Sequence, residues 1–334
     1  MAFNVLVTRS IPEAGQRLLR EADASVHVNP HDRPMRVDEI VAAVADVDGV
    51  LCLLTDRIDA NVLEAASRCV GFANYAVGYE NVDLARATEL GIMVSNTPGV
   101  LTETTADLTW ALLLATARRI IEGDTMVRQG RFHGWGPMLL LGADVFGRTL
   151  GIVGAGRIGT AVARRAHGFG MHVLYAETCG KGTIEALGAT CATLDELLRE
   201  SDFVSLHVPL TDQTRHLIGR EQLASMRPSA ILINTSRGQV VDEKALIDAL
   251  RSGVIAGAGL DVFEREPALT PGLADLHNVV VTPHIGSATT TTRTTMATMA
   301  AGNLIDMLRG RVPANLVNPE VLPLRRQALG LHEA

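Results

Sequence analysis

The chain has 334 residues, a formal net charge of -7 and a hydrophobic content of 47%. This length accommodates two α/β domains, each with a substantial core. The acidic balance provides no basic surface, so we expect neither nucleic acid nor a membrane as a partner. The first residues lack a basic leader followed by a long apolar core, so we expect no signal peptide and a cytoplasmic protein.

The cysteines form no CxxC pair and have no histidines at metal-ligand spacing. We therefore expect no metal site and no disulfide framework. Reduced cysteines fit a cytoplasmic protein. The four positions are Cys52, Cys69, Cys179 and Cys191.

The N-terminal third alternates short apolar, β-branched stretches with helical patterns, which indicates a parallel sheet. Asp83 is the predicted N-cap of the fourth helix and Gly91 its stop signal. The predicted strands are 5–7, 25–28, 50–54, 69–73 and 92–95, and the predicted helices are 12–21, 37–45, 61–67 and 84–90.

A glycine-containing loop, 74–78, follows the fourth predicted strand, at the sheet edge where open α/β sheets usually bind ligands. We expect Val77 and Gly78 to present backbone N–H groups that hold a carboxylate without a charged side chain. A plain turn between strand and helix explains this stretch equally well.

A breaker cluster at 96–99 predicts a domain crossing, and a long helix follows at 103–122. The helix and the irregular stretch 130–142 carry more apolar residues than one surface segment needs. This excess predicts a partner subunit, with packing inside the chain as the alternative. Trp135, in the irregular stretch, is a further candidate for the active site.

The stretch 149–159 reads TLGIVGAGRIG, a GxGxxG pattern directly after a predicted strand. Gly154 permits the tight turn, Gly156 lets the backbone approach a pyrophosphate, and Gly159 lets the next helix pack on the sheet. The phosphates would lie at that helix N-terminus, where unpaired N–H groups favour an anion. Glycines also recur in ordinary turns, so the flanking segments must show whether this motif binds a dinucleotide.

The next segments supply that context, with a predicted helix at 160–169 and a predicted strand at 171–176. Glu177 ends this strand about 20 residues past the glycines, where a ribose diol needs an acceptor. A carboxylate there would repel a 2′-phosphate, so Glu177 favours NAD over NADP. A solvated surface acid is the alternative interpretation of Glu177.

The strand and helix alternation then resumes, which brings the predicted count in this half to six parallel strands. Asp242 and Gly253 are the predicted ends of its last helix. A final helical pattern, 288–310, is expected to return to the first domain. The further predicted strands are 203–207, 231–234, 257–261 and 279–282, and the helices are 194–200, 220–226 and 243–252.

Three side chains with complementary chemistry follow predicted strands of this second half: Arg237, Glu266 and His284. Strand carboxyl ends converge on the crevice that holds the cofactor, so these residues can meet at one nicotinamide. Reduction of a 2-oxo acid needs a cation for the carboxylate and carbonyl, a proton donor and a hydride. For any one of these residues alone, a surface ion pair or a helix cap is the better explanation, and only the three together favour catalysis.

Arginine suits the first role because its planar fork binds two oxygens at once. A glutamate hydrogen-bonded to the histidine favours the imidazolium form, so a proton is available near neutral pH. We therefore predict that Arg237 binds the substrate, that His284 is the general acid/base and that Glu266 is its partner.

The chain resembles the D-isomer-specific 2-hydroxyacid dehydrogenases over nearly its whole length, and within that family the glyoxylate/hydroxypyruvate reductases. The resemblance implies a Rossmann NAD-binding domain, 100–287, inserted into a flavodoxin-like substrate domain, 1–99 with 288–318, a tail at 319–334 and a homodimer. The stretches that carry it are ANYAVGYENVD, NTPGVLTETTADL, GIVGAGRIG, SDFVSLHVPLTDQTRHLI, ILINTSRGQVVDE, AGAGLDVFEREP and TPHIGSAT.

The resemblance also implies the reaction and the contacts. A small 2-oxo acid, glyoxylate or hydroxypyruvate, would be reduced to the D-2-hydroxy acid. Arg237, Glu266 and His284 would be catalytic, and Leu53, Val77, Gly78 and Arg237 would bind the substrate. The implied cofactor contacts are Thr105, Gly154, Ala155, Gly156, Arg157, Ile158, Gly159, Glu177, His207, Val208, Pro209, Thr214, Thr235, Ser236, Asp261 and Gly286.

Two departures from related enzymes refine these expectations. Glyoxylate reductases that use NADP carry a basic residue where this chain has Glu177, so we expect NADH to be preferred over NADPH. The stretch FHGWGPMLLLGADVFGRTLGI also resembles phosphite dehydrogenases of the same superfamily. Those enzymes place a lysine at the substrate loop, whereas this chain has Ala76, Val77 and Gly78 there. The alternatives to 2-oxo acid reduction are phosphite oxidation, a D-3-phosphoglycerate dehydrogenase-like activity and a non-enzymatic role as an NAD-sensing corepressor.

Overall fold

The computed structural model describes residues 2–176, 180 and 182–325. The chain forms two compact units. The first consists of the residues up to Leu101 together with those from Ala288 onwards, and the second is Thr102–Ser287. No helix of the described residues is long and apolar enough to span a membrane.

The strands are short and largely buried. In chain order they are β1 (Phe3–Val7), β2 (Ala24–Val28), β3 (Gly49–Leu53), β4 (Gly71–Tyr75), β5 (Met93–Ser95), β6 (Thr149–Val153), β7 (His172–Ala176), β8 (Thr190–Cys191), β9 (Phe203–Leu206), β10 (Ile231–Asn234), β11 (Gly257–Leu260) and β12 (Val279–Val281).

Helices separate most of these strands. In chain order they are α1 (Glu13–Glu21), α2 (Val37–Val44), α3 (Ala60–Ala65), α4 (Leu84–Glu89), α5 (Thr102–Ala117), α6 (Ile120–Arg128), α7 (Arg157–Ala166), α8 (Gly182–Glu185), α9 (Leu194–Glu200), α10 (Arg220–Ser225), α11 (Glu243–Ser252) and α12 (Thr290–Leu308).

Both sheets are parallel, which confirms the predicted fold class. The first unit has the strand order β2-β1-β3-β4-β5, the flavodoxin-like order, and its helices α1 and α12 pack together. The second unit has the order β12-β11-β10-β9-β6-β7-β8, the doubly wound dinucleotide-binding arrangement with one added edge strand. In both units the strand carboxyl ends share one edge, which is where ligands bind in such sheets.

The predicted caps are confirmed. Asp83 accepts a hydrogen bond from the Arg86 N–H at the start of α4, and Asp242 accepts one from the Ala245 N–H at the start of α11. Gly253 ends α11 with φ 71°, a left-handed conformation that glycine adopts without steric cost. Local side-chain chemistry therefore fixes these boundaries.

Several predicted elements were wrong in length or number. The helix expected at 103–122 is two helices, α5 and α6, because Arg119 adopts a left-handed backbone with φ 52°. The second sheet of the described residues has seven strands rather than six, since β8 is only two residues long and has no readable pattern. α7 begins at Arg157 and not at residue 160, because Gly156 is its N-cap and Gly159 lies within its first turn.

Two smaller expectations also change. β4 lies two residues later than the predicted strand 69–73. Cys52 and Cys69 are buried and free, but Cys191 is disulfide-bonded, so the expectation that all cysteines are reduced was wrong.

The contact between α1 and α12 is tight enough to test by substitution. A Cβ added at Gly15 would lie 2.7 Å from the Ala297 carbonyl oxygen, whereas one added at Gly302 would meet no atom within 4 Å. We expect Gly15→Ala to lower the free energy of unfolding by about 1–3 kcal/mol through overpacking. The matched control Gly302→Ala should raise it by about 0.5–1 kcal/mol. Thermal unfolding of both variants measures this, and equal shifts would contradict the proposed packing.

Candidate active site

The glycine motif after β6 has the steric constraints that the sequence predicted. Gly154 has φ 102°, and a Cβ there would lie 2.7 Å from the His207 carbonyl carbon. A Cβ at Gly159 would lie 2.1 Å from the Gly154 carbonyl oxygen. A Cβ at Gly156 would meet no atom within 4 Å, and Gly156 is the N-cap of α7 with no capping side-chain hydrogen bond. The N-terminus of α7 therefore offers its N–H groups to an anion such as a pyrophosphate.

A cavity of about 570 Å³ lies at the carboxyl ends of β6, β7 and β8. Its lining is mostly apolar, which suits a flat heteroaromatic ring. The sequence analysis missed these residues because several of them follow β8, the strand that it did not predict. The lining residues are Val153, Ala176, Cys191, Ala192, Thr193, Leu194, Glu196 and Leu217.

The predicted residues 207–209 follow β9 directly. Burial lowers the pKa of the His207 imidazole to about 3, so this ring is neutral at physiological pH. The Ser205 hydroxyl lies 2.8 Å from His207 Nε2. Thr214 donates from Oγ1 to the Pro209 carbonyl at 2.6 Å and so closes the loop. His207 is consequently a structural residue of the cofactor unit and is unable to supply a proton near neutral pH.

The loop after β10 is organised by Asn234, which is 1% exposed. Its Oδ1 accepts hydrogen bonds from the N–H and the hydroxyl of Ser236, at 3.0 and 2.8 Å. Its Nδ2 donates to the Arg237 carbonyl at 2.9 Å. The hydroxyl of Thr235 lies 2.9 Å from that of Thr109 on α5. The backbone on both sides of the Arg237 side chain is therefore fixed.

Glu266 and His284 form a direct pair, with 2.9 Å between Glu266 Oε2 and His284 Nδ1. Glu266 Oε1 also accepts the Phe263 N–H at 3.0 Å. Burial by itself raises the pKa of the Glu266 carboxyl, but the hydrogen bond and charge of His284, with a contribution from Arg237, leave this pKa below its usual range. Glu266 is thus ionised at neutral pH, and the charges of both His284 and Arg237 act on it.

The segment that carries His284 is held by Asp261, a residue that is 1% exposed. Asp261 Oδ1 accepts from the Thr282 hydroxyl at 2.6 Å and from the Ile285 N–H at 2.8 Å. Its Oδ2 accepts from the Gly286 N–H at 2.8 Å, and its carbonyl accepts from the His284 N–H at 2.9 Å. Burial raises the pKa of the Asp261 carboxyl, while these donors act in the opposite direction.

His284 has a left-handed backbone with φ 54°, which is uncommon for a residue other than glycine. Such strain persists only where surrounding contacts enforce it, as the bonds to Asp261 do here. Thr105 on α5 adds a hydrogen bond from Oγ1 to the Gly286 carbonyl at 3.2 Å. The strained backbone therefore orients the imidazole at the end of β12.

In the first unit, the loop after β4 carries Val77 and Gly78, whose N–H groups were expected to hold a carboxylate. The carbonyl of Val77 accepts from Asn96 Nδ2 at 2.7 Å, and that of Gly78 accepts from Asn74 Nδ2 at 2.9 Å. Neither the Val77 N–H nor the Gly78 N–H donates to a partner among the described residues. Leu53 ends β3, and its N–H donates to Asp56 Oδ2 at 2.8 Å.

Glu177 lies outside the described residues, so its predicted contact with a ribose stays a prediction. Within the described part of the chain, no group of three His, Cys, Asp or Glu residues is placed to hold a metal ion.

The chain is similar to known proteins along nearly all of its length. The glyoxylate reductase of Korarchaeum cryptofilum (strain OPF8) is 54% identical over 329 residues, 97% of this chain and 98% of that protein. The glyoxylate reductase of Thermococcus onnurineus (strain NA1) is 53% identical over 331 residues, 98% of this chain and 99% of that protein.

A solved structure agrees with these relatives. The NADPH-dependent glyoxylate/hydroxypyruvate reductase of Sinorhizobium meliloti, in complex with NADP and malonate, is 35% identical with a TM-score of 0.85 and covers 98% of this chain and 100% of its own. The family model for the D-isomer specific 2-hydroxyacid dehydrogenase, NAD binding domain, matches residues 110–286. The chain therefore belongs to the D-isomer specific 2-hydroxyacid dehydrogenases, oxidoreductases that use a nicotinamide cofactor.

Proposed function

We propose that this enzyme reduces a small 2-oxo acid, glyoxylate or hydroxypyruvate, to the D-2-hydroxy acid with NADH. The pairing of an ionised Glu266 with His284, within the electrostatic influence of Arg237, carries this proposal. The names of the relatives at 54% and 53% identity support glyoxylate as the substrate. A panel of glyoxylate, hydroxypyruvate, pyruvate, 2-oxoglutarate and phosphite tests it, because turnover of phosphite alone would contradict it.

The proposed chemistry divides among three side chains. Arg237 binds the carboxylate and carbonyl oxygens of the substrate through its planar guanidinium. His284 Nδ1 is bonded to Glu266, which leaves Nε2 to donate the proton to the developing alkoxide. Glu266 balances the positive charge of the imidazolium before that transfer. The bound reduced nicotinamide supplies the hydride.

The remaining groups bind the reactants. The Val77 and Gly78 N–H groups donate hydrogen bonds to the substrate carboxylate, and Leu53 limits the size of the pocket. The N-terminus of α7 binds the pyrophosphate through the backbone of 154–159. The cavity at the ends of β6, β7 and β8 takes the adenine, and the nicotinamide end is bordered by residues after β10, β11 and β12. These residues are Thr235, Ser236, Asp261 and Gly286, and Thr105 on α5 adjoins them through its hydrogen bond to the Gly286 carbonyl.

The acid role of His284 is tested against an internal control. His284→Asn should lower kcat for glyoxylate reduction by about 10²–10⁴ and leave NADH binding intact, because asparagine tolerates the left-handed backbone. His216 also has a left-handed backbone, with φ 53°, and lies 3.0 Å from a carboxylate oxygen of Glu264. His216→Asn should therefore leave kcat unchanged, and an equal loss in both variants would contradict the assignment.

Removal of the Glu266 charge should change the pH profile in a defined direction. The pKa of the Glu266 carboxyl is lowered from its usual range, chiefly by the hydrogen bond from His284, so its charge favours the proton-carrying histidine throughout the neutral range. In Glu266→Gln this stabilisation is lost, and the alkaline limb of kcat/KM for reduction should move to lower pH. Glu264→Gln should leave the profile in place. An unshifted limb in Glu266→Gln would remove Glu266 from the mechanism.

NADH should be preferred over NADPH by about tenfold or more in kcat/KM, because Glu177 would repel the 2′-phosphate. Glu177→Gln removes the charge and should narrow this ratio. Glu200→Gln, at the exposed end of α9, is the matched control and should preserve it. The Sinorhizobium meliloti relative is NADPH-dependent, so the preference varies within the family. Equal kcat/KM values for the two cofactors in the parent enzyme would contradict the prediction.

We also propose a homodimer formed through residues 120–146. Helix α6 has no buried residue, although it carries Ile120, Ile121 and Val127 at exposures of 51%, 53% and 61%. Trp135 and Phe146 follow, at 84% and 76%. An exposed apolar surface of this kind is typical of a protein interface.

A charge placed in this surface should separate the subunits. We expect Ile121→Asp to convert the dimer to a monomer in light scattering coupled to size-exclusion chromatography, because an unpaired carboxylate would be buried in the interface. Val312→Asp, at a residue that is 48% exposed elsewhere in the chain, should leave the mass unchanged. A parent protein that is monomeric at all concentrations would contradict the dimer.

A further inference from the structure

One buried carboxylate of the second unit, Glu243, has no part in the chemistry proposed above. It is the first residue of α11 and is 2% exposed. Glutamate is almost never fully buried unless it is paired, because burial of a charged group costs free energy that hydrogen bonds must offset. The hydrogen bonds of Glu243 therefore indicate what its burial achieves.

Both carboxylate oxygens of Glu243 bind the segment that connects β11 to β12. Oε1 accepts a hydrogen bond from the Glu264 N–H at 2.7 Å, and Oε2 accepts one from the Thr270 hydroxyl at 2.5 Å. These two donors lie on either side of Glu266 in the sequence. Glu243 thus closes the loop 264–270, which contains Glu266.

The residues that precede α11 hold the start of this loop as well. Gln239 Nε2 donates to the Glu264 carbonyl at 3.0 Å. A Cβ added at Gly238, the residue after Arg237, would lie 1.9 Å from the Phe263 carbonyl carbon, so the two backbones are in direct contact. The segment from Gly238 to α11 therefore fixes the main chain at 263 and 264.

One further hydrogen bond links this main chain to the acid/base pair. The Phe263 N–H donates to Glu266 Oε1 at 3.0 Å, and the other oxygen, Oε2, lies 2.9 Å from His284 Nδ1. Two consecutive N–H groups thus bind two carboxylates, since Phe263 donates to Glu266 and Glu264 donates to Glu243. A displacement of this backbone would move the oxygen that faces the imidazole.

We propose that Glu243 is a positioning residue for the acid/base pair, which holds the loop 264–270 so that Glu266 Oε2 stays within hydrogen-bond distance of His284. This inference rests on the proposed function, in which His284 is the proton donor. Glu243 touches neither the substrate nor the reacting atoms. It acts through its two hydrogen bonds and not through its charge.

Two substitutions of similar shape separate hydrogen bonding from charge. Glu243→Met leaves the Glu264 N–H without its acceptor. Glu243→Gln removes the charge but keeps both bonds, because its Oε1 accepts from Glu264 and its amide donates to the Thr270 hydroxyl oxygen. Glu243→Met should move the alkaline limb of kcat/KM for glyoxylate reduction to lower pH by about 0.5–1 pH unit, and Glu243→Gln should leave the limb in place.

A double substitution tests whether the effect passes through Glu266. Substitutions within one hydrogen-bond network are not additive. Glu243→Met added to Glu266→Gln should therefore cause no further movement of the limb. Thr270→Val removes only the hydroxyl bond to Glu243 and should move the limb in the same direction by a smaller amount. It replaces Glu243→Met if that variant does not fold.

Asp202→Leu is the matched control for loss of a carboxylate that binds a main-chain N–H. Asp202 Oδ2 accepts from the Thr149 N–H at 2.9 Å, at the start of β6 and thus at the opposite edge of the sheet from the strand carboxyl ends. This variant should leave the alkaline limb in place, whatever its effect on stability.

The protonation of His284 can also be followed without turnover. In an NMR pH titration of the enzyme with bound NAD, the His284 resonance is identified by its absence in His284→Asn. The imidazole should lose its proton at a lower pH in Glu243→Met than in the parent, and at the parent value in Glu243→Gln.

The outcomes are distinct. An unmoved limb and an unmoved titration in folded Glu243→Met, or in Thr270→Val in its place, overturn the proposal. An equal movement in Glu243→Gln or in Asp202→Leu overturns it too, and so does an additive movement in the Glu266→Gln background. A parent that reduces no 2-oxo acid contradicts the proposed function, and the NMR titration then still decides whether Glu243 positions the pair.

Discussion

The conformation of the segment that carries His284 depends on one buried carboxylate, Asp261. Its two oxygens receive three hydrogen bonds from 282–286, and its carbonyl receives a fourth from the His284 N–H. Charge-assisted bonds of this kind are short and strong, and they offset the strain of a left-handed histidine. Because β11 and β12 are neighbours in the parallel sheet, Asp261 at the end of β11 can hold the segment that follows β12.

Buried asparagines have the corresponding role at the other loops. Asn234 holds the backbone around Arg237, and Asn96 holds the carbonyl before Gly78. An amide carries both a donor and acceptors, so one neutral side chain satisfies backbone groups of either kind. It also adds no charge, which a carboxylate or an arginine would do beside an anionic substrate. Neutral side chains therefore shape these two loops, whereas a carboxylate, Asp261, shapes the segment that carries His284.

The sequence predicts those residues whose positions follow from the local sequence or from the order of the strands in the sheet. Glu266 and His284 follow neighbouring strands, and parallel topology brings strand ends to one edge, so their pairing could be expected before the structure was known. The break at Arg119 could not, because a left-handed arginine leaves no compositional signal. Asn96 and Asn234 also escaped prediction. Their importance lies in which carbonyl each one reaches, and that depends on loop conformations that the sequence does not reveal.

Two His–Glu pairs in the second unit show why a pair by itself does not define an active site. Each has a left-handed histidine 2.9 or 3.0 Å from a carboxylate oxygen, and the side chains are comparably exposed. His216 lies between β9 and α10, whereas His284 directly follows β12 at the carboxyl edge of the sheet. Glu266 also experiences the charge of Arg237. The two pairs thus differ in a third group, the Arg237 cation, whose charge acts on the carboxylate of Glu266.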